Sequence, residues 1–143
     1  MIVDASEISG RYHLEDCIQC KKCTRNCASA EHGGIVPSDT VRDVRDGSYS
    51  GDPWLCLMCH RCSAVCPKDI DVAELILELR NIEVKKGNVP ERFDRVYKKY
   101  LETGDTMSIV GSTNEARKEL GLPEFERDPE IKKRIDEMSG GRK

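Results

Sequence analysis

Apolar residues recur at helical spacing through the second half of the chain. Val72, Leu75, Ile76, Leu79 and Ile82 share one face with a period near 3.6, and Asp71-Val72-Ala73-Glu74 places a variant capping box in front of them. Gly87 is expected to stop this helix. Another starts at Pro90, carries Phe93, Val96, Tyr97, Tyr100 and Leu101 as a stripe that reads as core, and stops at Gly104. Residues 105–110 can be extended but are too short to demand a sheet. A helix over Asn114–Leu120 ends at Gly121 with Pro123 beyond it. Asp128-Pro129 opens the last helix, with Ile131, Ile135 and Met138 on one face, and Gly140-Gly141-Arg142-Lys143 reads as a frayed end.

The first half is less periodic. Residues 1–16 read as an arm. Gly33-Gly34 and Pro37 mark a loop, after which Ser38 or Asp39 can cap a short helix through Val41, Val44 and Arg45 that closes at Gly47. Asp52-Pro53 is a second start signal, with Asp as cap and Pro at the first helical position. Trp54, Leu55, Leu57 and Met58 read as apolar shielding. Long strand patterns are absent, so the expected fold is all-α.

Length adds little beyond one modest domain: the chain has 143 residues. Its composition matters more. With two Phe and one Trp the apolar supply is thin, and metal clusters are a usual remedy for a small core. All eight cysteines fall into two runs. One is Cys17-Ile18-Gln19-Cys20-Lys21-Lys22-Cys23-Thr24-Arg25-Asn26-Cys27. The other is Cys56-Leu57-Met58-Cys59-His60-Arg61-Cys62-Ser63-Ala64-Val65-Cys66, followed by Pro67. Both have the C-x2-C-x2-C-x3-C spacing of proteins that bind two [4Fe-4S] clusters.

The spacing suits a cubane. Thiols three residues apart curl round one face and take three corners, and the fourth corner must be filled from elsewhere. In two-cluster ferredoxins the fourth cysteine of each run ligates the other run's cluster. One cluster is thereby assigned to Cys17, Cys20, Cys23 and Cys66, the other to Cys56, Cys59, Cys62 and Cys27. A disulfide framework fits poorly, because the cysteines crowd into two short clusters and no secretory signal precedes them. Structural zinc is the stronger rival, since thiolates also select zinc, but a third cysteine in each run has no obvious task there. No histidine pairing singles out a nucleophilic thiol, and His13 reads as a surface residue.

The formal charge is -3 with neutral thiols. Two oxidised cubanes with their thiolates bring it to about -7. That disfavours nucleic acid, as does the scatter of Lys and Arg without interleaved aromatics. No apolar run approaches the roughly 20 residues needed to span a bilayer, and the start lacks the pattern of a signal peptide. The expectation is a soluble, cytoplasmic protein with no transmembrane segment.

A two-cluster bacterial ferredoxin has the same double motif on a short, strand-built chain. Here the runs are separated by residues 28–55, sit in helical surroundings and are followed by a helical tail. This resembles the alpha-helical ferredoxin domain of succinate dehydrogenase iron–sulfur subunits and their relatives. Within that group it is most similar to the C-subunit family of heterodisulfide reductases, on Cys17 to Cys27, Val41 to Gly47, Trp54 to Pro67 and the helix after Asp71. The first run departs from many relatives by ending Cys27-Ala28 where they have Cys-Pro. The expected organisation is an alpha-helical ferredoxin domain over 1–87 and a helical C-terminal extension over 88–143, packed on the same domain or on partner subunits.

The resemblance implies an electron relay in methanogenesis. The protein would pass electrons from the flavin- and cluster-bearing A subunit of heterodisulfide reductase to its catalytic B subunit, which cleaves the coenzyme M–coenzyme B disulfide. A hydrogenase or formate dehydrogenase would join a larger, electron-bifurcating complex. No catalytic residue is expected on this chain, which would be the electron-transfer subunit of an oxidoreductase. Another heterodisulfide-reductase-like complex and a free dicluster ferredoxin stay open as alternatives. Lys21, Lys22 and Arg25 in the first loop, against apolar Trp54, Leu57 and Met58 at the second, predict the higher potential for the first cluster.

Overall fold

In a computed structural model, which describes residues 5–107, 111–126 and 128–139, the chain is all helical, with no strand among the described residues. It divides into two units, Met1–Asn88 and Val89–Lys143.

The first unit opens with α1 (Ala5–Arg11) and a 3-10 turn over Leu14–Asp16. Two single-turn helices follow, α2 (Lys22–Arg25) and α3 (Ala28–Glu31). Then come α4 (Pro37–Arg45), a 3-10 turn over Pro53–Leu55, the single-turn α5 (Arg61–Ala64) and α6 (Val72–Lys85). The expected starts hold at two places. Asp71 accepts the Glu74 N–H at 3.1 Å to begin α6, and Asp52 accepts the Trp54 N–H at 2.9 Å to begin the second 3-10 turn. At α4 the start differs. Neither Ser38 nor Asp39 is the cap; Pro37 occupies the first turn, where its fixed φ suits a helix and its missing N–H costs nothing.

The core of this unit is the apolar face of α6 (Val72, Leu75, Ile76, Leu79) against Val41 and Val44 of α4. Each such side chain, fully buried, contributes roughly 1.5–3 kcal/mol. Within the stretch read as an arm, residues 5–16 do more than lead into the first loop. Ile8 and Leu14 are buried in the same core, and Arg11 pairs with Glu78 of α6 at 3.3 Å. The thin apolar supply is thus concentrated in one cluster, and the N-terminal segment is recruited to complete it.

The second unit holds α7 (Glu91–Thr103), α8 (Gly111–Glu119) and α9 (Pro129–Ser139). Gly104 ends α7 in the left-handed conformation, φ 78°, donating to the Tyr100 carbonyl at 2.8 Å. The α7 stripe is not a core: Phe93, Val96, Tyr97 and Tyr100 are exposed. Ile135 of α9 is buried, whereas Ile131 and Met138 are exposed. Residues 108–110 of the expected extended stretch, and Gly140 to Lys143, lie outside the described residues. Among the described residues no helix is long and apolar enough to cross a membrane.

Candidate metal centre

The two cysteine runs fold as copies of one another. Each is preceded by a 3-10 turn and runs into a four-residue helix, α2 or α5. Gln19 and Lys21 of the first loop have φ 51° and 60°, and Met58 and His60, at the same places in the second, have φ 50° and 59°. None is glycine, so each left-handed residue costs roughly 1–2 kcal/mol. Such alternation turns successive N–H groups toward the concave side of a loop, the geometry that many iron–sulfur sites use. The Met58 N–H lies 3.3 Å from Cys56 Sγ. In the first loop the Gln19 side-chain amide does the equivalent, donating to Cys17 Sγ at 3.4 Å and to the Ser38 carbonyl at 3.3 Å.

Hydroxyls fix each loop to a long helix. Thr24 Oγ1 accepts the Ser38 N–H at 3.0 Å at the start of α4, and Ser63 Oγ accepts the Ala73 N–H at 3.0 Å at the start of α6. The Ser63 hydroxyl also donates to Asp71 at 2.6 Å. That bond is the main reason the Asp71 carboxyl is held below its ordinary range.

Two cavities result. Cys17, Cys20, Cys23 and Cys66 line the first, and Cys27, Cys56, Cys59 and Cys62 line the second. Each therefore draws three thiols from one run and one from the other. Their walls exchange helices in the same way. Ser38 and Val41 of α4 with Val72 of α6 close the first, while Ala73 and Ile76 of α6 with Pro37 of α4 close the second. The apolar walls and soft donors fit a [4Fe-4S] cluster in each cavity. Among the described residues no three His, Cys, Asp or Glu side chains gather closely enough for a single metal ion; the thiols stand around a volume instead.

Burial sets the thiol chemistry. The third cysteines match: Cys62 is pushed up to about 11, and Cys23 is also raised, both mainly by desolvation. A reactive cysteine needs the opposite shift, so these thiols are poor free nucleophiles and become thiolates by binding metal.

The apolar shielding foreseen around the second loop is corrected in part. Leu57 is 66% exposed and Leu55 46%, while Trp54 and Met58 are half-buried. Leu57 and its counterpart Ile18 follow the first cysteine of a run; each lines its cavity but stays largely exposed, Ile18 at 62%. The buried apolar part of the wall comes from Pro37, Ala73 and Ile76. His13 is exposed beside Glu15 and lines neither cavity.

Three functional side chains escaped the sequence reading. Ser29 bridges the two halves, donating to the Leu55 carbonyl at 2.7 Å and accepting the Ile35 N–H at 3.1 Å. Gln19 carries the side-chain bond to sulfur. Arg80 of α6 donates from Nε to the Pro53 carbonyl at 3.0 Å and from Nη2 to the Cys56 carbonyl, with its guanidinium 5.3 Å from the Trp54 ring centroid. A polar residue on an amphipathic helix gives no sign in sequence of what it will reach.

Known proteins share both the motif and most of the chain. Residues 13–70 match the model of a 4Fe-4S dicluster domain. The chain is 36% identical over 110 residues to the C subunit of the ferredoxin:CoB-CoM heterodisulfide reductase of Methanosarcina mazei, covering 74% of this chain and 68% of that one. It is 34% identical over 125 residues to the C subunit of the ferredoxin/F420H2-dependent CoB-CoM heterodisulfide reductase of Methanosarcina acetivorans, covering 82% and 78%. A protein of Archaeoglobus profundus, named as like the heterodisulfide reductase C subunit, is 27% identical over 121 residues, covering 80% and 63%.

Proposed function

The chain belongs to the C-subunit family of heterodisulfide reductases, the two-cluster iron–sulfur electron-transfer subunits of an oxidoreductase, and from that premise we propose that it relays single electrons from a flavin-bearing A subunit to a catalytic B subunit. The latter would cleave the coenzyme M–coenzyme B heterodisulfide of methanogenesis, in the cytoplasm, with a hydrogenase or formate dehydrogenase as a further partner. Cys17, Cys20, Cys23 and Cys66 would hold one [4Fe-4S] cluster, and Cys27, Cys56, Cys59 and Cys62 the other. Residues 1–87 are the cluster domain in this reading and 88–143 an extension available to partner subunits.

The observation that carries the reading is the sorting of eight thiols, three plus one, around two cavities of similar size. A bound cluster supplies a one-electron change of charge with little movement of its ligands, taking the electron from a reduced partner centre and giving it to an oxidised one. The chain's own residues do the rest. The second loop directs the Met58 N–H toward sulfur and the first the Gln19 side-chain amide, and the α4 and α6 walls exclude water. The first turns of α4 and α6, tied by Thr24 and Ser63, fix the loops against both walls. With one thiol crossing in each direction, the clusters would be held side by side by a single rigid unit.

Anaerobic pull-down of the native protein, with iron and sulfide analysis of everything retained, tests this. The expected result is two cubanes on this chain and co-purification of a flavoprotein with a cysteine-rich partner. Zinc in place of iron, or a monomer that retains nothing, would refute it. The Archaeoglobus profundus relative, named only as C-subunit-like, favours a second reading: the same relay in a heterodisulfide-reductase-like complex with another terminal acceptor. The partner recovered decides between them.

A further inference from the structure

Arg45 and Arg80 occupy equivalent places on the two long helices and differ in one respect. Arg45 is the ninth residue of α4 and Arg80 the ninth of α6. Arg45 stands within electrostatic reach of Cys17, but its Nε is bound to Asp46 at 2.9 Å. Arg80 has no such neutralisation. Among the described residues its bonds go to two neutral carbonyls, those of Pro53 and of Cys56 itself, and to the face of Trp54. It is half-buried, so its charge is screened far less than those of Lys21, Lys22 and Arg25, of which Lys21, Lys22 and Arg25 stand in the solvent-facing loop and turn of the first run.

We infer that Arg80 is the positioning residue of the second cavity: it clamps the turn that presents Cys56 and holds one uncompensated positive charge behind the cluster there, making that cluster easier to reduce. The inference rests on the ligand set proposed above for Cys27, Cys56, Cys59 and Cys62. Reduction adds one electron and no proton to the cluster, so a fixed cation nearby stabilises the product more than the reactant. The electron comes from a reduced partner centre. The higher potential read for the first cluster from loop charges alone omitted this residue. Arg80 offsets that advantage from the protein side, where salt cannot.

The test is an anaerobic, EPR-monitored redox titration of the full chain and of Arg80→Gln and Arg80→Lys. Cys20→Ser and Cys59→Ser assign the two signals. Arg80→Gln should lower the reduction equilibrium constant of the cluster perturbed by Cys59→Ser by roughly tenfold, which is about 59 mV for one electron, and leave the other within about twofold. Arg80→Lys keeps the charge but not the planar clamp, and should recover most of the shift. Equal shifts in both variants, or none in either, would overturn the inference, since a purely structural role moves them together.

A second measurement needs no variant. Raising the ionic strength of the native protein should move the midpoint of the first cluster more than that of the second; the reverse order would also overturn the inference. Cluster content separates this claim from the one beneath it. Native protein with fewer than two cubanes sinks the ligand assignment and the inference with it. Two cubanes with an unmoved midpoint sinks the inference alone.

Discussion

The Thr24 hydroxyl accepts the Ser38 N–H at 3.0 Å and donates to the Ser38 hydroxyl at 2.8 Å. A residue of the cluster loop thereby caps a helix it does not belong to. Ser63 does the same for Ala73. In each half the third and fourth cysteines of a run lie on either side of this hydroxyl, so the cap also fixes where those thiols point.

Removing a cap of this kind costs about 1 kcal/mol, with a range of roughly 0.5–2. Thr24→Val keeps the side-chain shape and removes the hydroxyl. Ser63→Ala also takes a donor from Asp71. Both variants should lower the temperature at which cluster absorbance is lost on heating, and Ser63→Ala should do so more. Thermal melts followed in the visible range check this. An unchanged Ser63→Ala melt would show that the loop is positioned by its thiols alone.

Asp71 adds a pH dependence with a definite sign. Its carboxyl is held below its ordinary value, first by the Ser63 hydroxyl. The folded state therefore favours the carboxylate. That stabilisation is complete above the unfolded value, about 4, and is lost as pH falls through the lower folded one. Asp71→Ala should be less stable than the native protein at pH 7, and the gap should close below about pH 4. Melting temperatures of both proteins from neutral to acid pH measure it, and a gap that stays constant would contradict the assignment.

Much of this arrangement was legible beforehand. The cysteine spacing announced two cubanes, and the period of Val72, Leu75, Ile76 and Leu79 announced the wall against which they sit. Asp71 and Asp52 read as caps because a side-chain oxygen in front of an apolar run has little else to do. The misses have physical causes. Gln19, Lys21, Met58 and His60 are residues that seldom take left-handed φ, and only the loop's closure round its cavity imposes it. Leu57 reads as shielding and does line the second cavity, yet it stays largely exposed. Phe93, Tyr97 and Tyr100 form a stripe at helical period, but period shows which residues share a face and not what covers that face. Ser29 and Arg80 act on carbonyls far along the chain, and a backbone acceptor has no signature in sequence.

Gly34 shows how tight the junction between the halves is. A Cβ there would stand 2.2 Å from Ser29 Oγ and 2.9 Å from the Ser29 carbonyl oxygen. The Gly34 N–H already donates to that carbonyl at 2.7 Å, so the backbone cannot retreat without breaking the turn. Gly34→Ala should cost about 1–3 kcal/mol, as overpacking does. It should also displace Ser29 from the Leu55 carbonyl, next to Cys56. The expected readout is weaker cluster retention under chelator challenge, confined to one of the two EPR signals. Equal loss of both signals would mean that the damage is general.

The crossing of single thiols between the halves makes the sharpest prediction. If Cys66 serves the cluster of the first run, then Cys66→Ser should perturb the same EPR signal as Cys20→Ser, although Cys66 lies 46 residues further along the chain. Cys27→Ser should likewise perturb the signal that Cys59→Ser perturbs. An uncrossed arrangement predicts the opposite pairing, in which each fourth cysteine follows its own run. The cavities leave little room for that alternative, because Cys66 lines the one with Cys17, Cys20 and Cys23, and Cys27 lines the other. The crossing also has a consequence for folding. Each cluster would then close a loop between the two runs, so loading one should pre-form the fourth-ligand position of the other. Iron titration of the apo chain should then be cooperative, with few singly loaded molecules, whereas two independent sites would fill statistically. Native mass spectrometry during reconstitution separates the two patterns.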